Sequence, residues 1–165
     1  KKACSRGMSS LLDAYTLVNV EMLKLSAELH RSMPASEHCQ ARIELKLSPQ
    51  APIADSVMQI GQIMNARLGV LGLPPNGREE DKLFTLEVVI NAVYRPLLDQ
   101  FGQPIGDVSF DAFNRGHTSL TRQLFPLLER RAHQLLLELG LNHIRLPMDL
   151  VHEPSSESAV RPAYH

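Results

Sequence analysis

Few residues in this chain are of the types and spacings that do chemistry. His30, His38 and Cys39 are soft ligands close in sequence. A metal site of this kind needs fixed spacing and usually four ligands, and no fourth is evident here. His143, His152 and Glu153 offer an acid–base set, but they fall in or next to a polar C-terminal stretch. A catalytic base needs a rigid position within hydrogen-bond reach of its target. Glu79, Glu80 and Asp81 form an acidic run at an expected helix start, where the helix dipole favours them without any further role. Gly69 and Gly72 lack the Lys and Ser/Thr of a phosphate loop, and no nucleophile elbow is present. The residues therefore lean away from an enzyme, and they imply no cofactor and no metal.

Two cationic sets remain. Arg115, His117, Arg122, Arg130 and Arg131 lie along the last long apolar segment, with Asp111 and Glu129 among them. Arg42 and Lys46, with Glu44 between them, alternate with Ala41, Ile43, Leu45 and Leu47. Period two is the signature of a half-buried strand, although the helix-forming content of 36–47 also allows a helix. The net charge of the 165-residue chain is −1, so no global field draws it to nucleic acid or anionic lipid.

The elements that would position these residues read as mainly helical. Ser9 or Ser10 can cap a first helix reaching about Arg31. Its apolar positions are Leu11, Tyr15, Val18, Met22, Leu25 and Leu29, a four–three seam suited to self-association. Ser32-Met33-Pro34 ends it. After the alternating segment, Ile53, Val57, Ile60, Met64, Leu68 and Leu71 give a second helical stripe. Leu73-Pro74-Pro75-Asn76-Gly77 is a strong turn signal. Leu83, Leu86, Ile90, Val93, Leu97 and Phe101 give a third stripe, kinked by Pro96. Ser109 caps a short helix, Phe110 to Arg115. A long helix then runs from Thr118 to Leu139 and closes on Gly140.

The expectation is a mainly α protein: an irregular bundle of about five helices, with one short strand at 41–47 paired across a dimer. Residues 9–146 read as one helical domain and 147–165 as a mobile polar tail. Residues 1–8 read as vector-derived residues or the end of an upstream region. Apolar residues are 44% of the chain, but no run approaches the roughly 20 that span a membrane. Two cysteines make no disulfide framework, which points to the cytoplasm.

Functionally, abundant apolar stripes beside so little catalytic chemistry point to a non-enzymatic interaction or regulatory module. Its partner would be a protein or a second copy, with a homodimer expected. The order strand, helix, helix from Arg42 to Phe101 resembles the ribbon-helix-helix family of DNA-binding regulators. That resemblance implies a dimeric ribbon whose outward residues, Arg42, Glu44 and Lys46, enter the major groove.

Overall fold

A computed structural model describes residues 10–32, 39–51, 61–75, 77–141, 144 and 159–162, the last as backbone only. Its centre is a five-stranded antiparallel sheet, not a helical bundle. The strands are β1 (Tyr15–Leu29), β2 (Gln40–Gln50), β3 (Gln62–Leu73), β4 (Phe84–Pro96) and β5 (Ala159–Pro162). Their order across the sheet is β1-β4-β3-β2-β5. The chain therefore crosses from one edge, β1, to the far side at β2, and returns through β3 to β4. Two helices follow: α1 (Phe110–Gly116) and α2 (Thr121–Glu138).

Period two builds the core. Ala41 and Ile43 of β2 are buried. So are Met64, Ala66, Leu68 and Val70 of β3, and Phe84, Leu86, Val88, Ile90, Ala92 and Tyr94 of β4. These alternate residues share one sheet face. Helix α2 lays Leu124, Phe125, Leu128, Ala132, Leu135 and Leu136 on that face, mainly over β3 and β4. Phe113 of α1 closes the end of the core, with its ring 5.3 Å edge-on from Tyr15 and 6.0 Å from Tyr94. Tyr94 donates to Gln123 Oε1 at 2.9 Å, and burial pushes both phenols above their ordinary pKa.

The helical expectation for the first two thirds of the chain is corrected. Residues 15–29 form an edge strand, and their four–three apolar spacing has a structural cause. Register shifts against β4 fall between Leu17 and Asn19 and between Met22 and Lys24. Each bulge inserts one extra residue, Val18 and then Leu23, which breaks strict alternation. A strand with two bulges thus copies the spacing of a heptad. Residues 62–73 and 84–96 are strands as well. The second and third helical stripes mix both sheet faces, since Leu71 and Val93 point away from the core face that holds Met64, Leu68, Leu86 and Ile90. Ile53, Val57 and Ile60 lie outside the described residues. Pro96 ends a strand rather than kinking a helix, and Glu79–Asp81 is an isolated 3-10 turn.

The strand at 41–47 is present, within a longer β2, but its partners differ from those expected. β3 pairs with it along all of Gln40–Gln50, and β5 of the same chain pairs with Gln40–Ile43. The pairing across a dimer at this strand is therefore replaced by pairing within one chain. The C-terminal reading survives best. Ser109 Oγ caps α1 by accepting from Ala112 N–H, and Gly140 takes a left-handed φ of 77° after α2.

One glycine fixes how β3 meets β4. A Cβ on Gly72 would stand 2.2 Å from the Phe84 ring, which lies across it fully buried. Gly72→Ala is expected to destabilise the fold by about 1–3 kcal/mol, as overpacking does, measured as a lower urea midpoint with far-ultraviolet circular dichroism dominated by β-structure.

Candidate interaction surface

β1 is the residue set that the fold leaves unfinished. Among the described residues, no strand pairs with its outer side. It is 15 residues long, well beyond the usual five or six. A long open edge presents unpaired N–H and C=O groups to any extended chain.

Register against β4 assigns its faces, since directly paired residues point the same way. Leu17 pairs with Tyr94, Val20 with Ala92, Met22 with Ile90, Leu25 with Val88, Ala27 with Leu86 and Leu29 with Phe84. Every one of these β4 residues is buried, so the β1 row faces the core side of the sheet. Yet α2 barely reaches β1. Val20, Met22, Leu25 and Leu29 are left between 39% and 46% exposed. The bulge residues Val18 and Leu23 are 44% and 53% exposed. On α2, Leu127 and Leu137 also face solvent.

The six residues of the expected seam therefore divide. Leu11 and Tyr15 are in the core, while Val18, Met22, Leu25 and Leu29 lie on the exposed edge. Val20 and Leu23 belong with them and were missed. Alternating Val18 and Val20 beside Thr16 was the available signal, because β-branched residues favour strands.

The other sheet face is polar and largely self-satisfied. Glu87 Oε2 accepts from Arg67 Nη2 at 2.8 Å, and its Oε1 lies 3.0 Å from Lys24 Nζ. The Arg67 guanidinium, and then the Lys24 ammonium, hold the Glu87 carboxyl below the usual carboxylate range. A hollow of about 530 Å³ lies on this face, lined by Ser26, Glu28, Arg42, Glu44, Arg67 and Glu87 among others. Gly69 supplies no side chain to fill it.

The expected DNA contacts belong to this face. Arg42, Glu44 and Lys46 do point away from the core, but Arg42 pairs with Glu79 and no ribbon edge is offered. The two helices that the DNA-binding reading required are strands. Arg115, His117, Arg122, Arg130 and Arg131 are spread over α1, the 3-10 turn His117–Leu120 and α2. Among the described residues, no three His, Cys, Asp or Glu side chains gather where a metal ion could sit. His38, His143, His152 and Glu153 lie outside the described residues. No helix among the described residues is long and apolar enough to cross a membrane.

No family model matches this sequence, and no curated protein matches it. Solved structures do. One is the Mycobacterium tuberculosis Rv1957 SecB-like chaperone in complex with a ChAD peptide from the Rv1956 HigA1 antitoxin. The TM-score is 0.61 over 84% of this chain and 91% of that chain, at 14% identity. The fold resembles that of a SecB-like chaperone. At this identity the likeness is one of fold, and it agrees with the sheet rather than with a helical bundle.

The ion pairs of Glu87 carry a pH dependence. Its folded-state pKa is depressed, so its contribution is present above the unfolded value and lost as pH falls through the folded one. Glu87→Gln should lower stability at neutral pH by less than about 1 kcal/mol, because the pairs are partly solvated. The difference from wild type should shrink in urea melts as pH drops below about 4.

Proposed function

We propose that this protein is a polypeptide-binding, non-enzymatic interaction module that works in the cytosol as a self-associated pair. The observation that carries this reading is the open edge of β1, with its apolar row on the core side of the sheet left uncovered. Two copies joined edge to edge along β1 would satisfy the backbone groups of both strands. A symmetric pair uses the same patch twice, which a self-complementary strand edge allows. Val18, Met22, Leu25 and Leu29 would lie in the joint, with Val20 and Leu23.

Two features support binding to other polypeptides. Pairing along β1 uses the strand edge, but its apolar row lies on the sheet face and stays open to apolar segments of other chains. The solved neighbour is described as a chaperone holding a peptide from another protein.

Replacing Val18 and Met22 together with Glu puts like charges into the joint. The double variant is expected to run as a monomer by light scattering while its circular dichroism is unchanged. An unaltered mass would remove self-association through β1. Separately, wild-type protein at equal molarity should slow aggregation of a chemically unfolded test protein. No slowing at any ratio would remove the polypeptide-binding half of the reading.

A further inference from the structure

The excursion after β4 is a second apolar surface, and it is held rigidly. Leu97 N–H extends the β1–β4 ladder by donating to Ala14 O at 2.8 Å. Ile105 N–H donates to Leu97 O at 2.9 Å, and Asp99 N–H to Gln103 O at 2.7 Å. The Asp99 carboxylate accepts from the N–H groups of Phe101 and Gln103 at 2.8 and 3.0 Å. Gly102, at a φ of 76°, closes the turn. Leu97–Ile105 is thus a small hairpin with its tip clamped by one side chain.

Its position follows from the hydrogen bonds. The N–H and C=O of one extended residue project to the same side. Leu97 uses its N–H on Ala14 and its C=O on Ile105. The returning arm therefore lies on the β1 side of Leu97, continuing the line of β1 beyond Tyr15. Gly106 is close enough that a Cβ there would stand 3.1 Å from the Ala14 Cβ. The open edge is longer than β1 itself.

The hairpin presents Leu98 at 57%, Ile105 at 59% and Phe101 at 77% exposure. Apolar side chains on a pre-ordered hairpin bind without the cost of ordering a loop. Area also argues for their use. A specific interface buries about 800 Å² per partner, and the exposed apolar side chains of β1 supply roughly half of that. Leu98, Phe101, Ile105 and Val108 add a comparable area.

We propose that the hairpin Leu97–Ile105 is the second half of the self-association surface, occupied by another copy of this chain. The inference rests on the β1 reading. Antiparallel pairing of two β1 strands sets the start of one beside the end of the other. Each hairpin then reaches the Leu29–Arg31 end of the second copy, and the contact occurs twice by symmetry.

Sedimentation equilibrium on three proteins tests this: wild type, Met22→Glu, and the triple variant Leu98→Ser, Phe101→Ser, Ile105→Ser. Wild type should be a dimer, Met22→Glu a monomer, and the triple variant should dissociate at least about tenfold more readily with its circular dichroism intact. A triple variant as tightly associated as wild type, beside a monomeric Met22→Glu, overturns the hairpin inference and leaves the β1 reading standing. A wild-type monomer at every concentration overturns both. If the triple variant fails to fold, the single change Phe101→Ser, at the most exposed position, should still weaken association at least about threefold; no change overturns the inference. A hairpin variant that keeps its dimer but no longer slows aggregation of the unfolded test protein also overturns it, by making a client polypeptide the occupant.

Discussion

One helix is too narrow for this sheet. An α-helix with its side chains is about 10–12 Å across, and neighbouring strands are about 4.8 Å apart, so one helix covers little more than two strands. Here α2 lies over β3 and β4, and the rest of the core follows from that placement. Alternate residues of β3 and β4 can be large and apolar because something lies on them. On the β2 side, Ala41, Ile43 and Cys39 are buried, and Leu141 and Ile144 join the same core. On the β1 side nothing equivalent arrives among the described residues. The row from Val20 to Leu29 keeps the composition of a core and the exposure of a surface.

How far the sequence revealed this depends on which periodicity each element shows. α2 was legible because its apolar residues recur at helical spacing between a serine-threonine start and a left-handed glycine. The short helix after Ser109 was legible from its cap. β2 was legible because its alternation is unbroken and one face is charged. β3 and β4 hid themselves. Leu71, Val89 and Val93 on the polar face fill in the alternation, so a helical stripe can be drawn through either segment. The run Val88-Val89-Ile90, with Val93 and Tyr94, carried the opposite message, since β-branched and aromatic residues favour strands.

β1 was misread as an element. Its two bulges turn a period of two into steps that look like a heptad, which gave a helix. The residues so collected still include Val18, Met22, Leu25 and Leu29, all on the exposed edge. The hairpin was missed because Leu97 and Phe101 seemed to continue a helical stripe from β4. The prolines at 96 and 104, with Asp99 and Gly102 between them, were the turn chemistry that marked it. No local pattern shows that α2 stops short of β1. That is a property of the assembled layers.

The two borders of the sheet are treated differently, and this has a consequence for how large an assembly can grow. At the β2 border, β5 of the same chain covers Gln40–Ile43, and Pro49 interrupts the remaining length. Proline has no N–H to give a further strand, and in sheets it is confined to edges for that reason. Among the described residues, the β1 border alone is both long and free. A sheet with two sticky borders would add copies without end, as fibrils do. With one border blunted, a pair joined along β1 as proposed would keep no second long open border among the described residues. Growth along β1, if two copies join there, would stop at the pair.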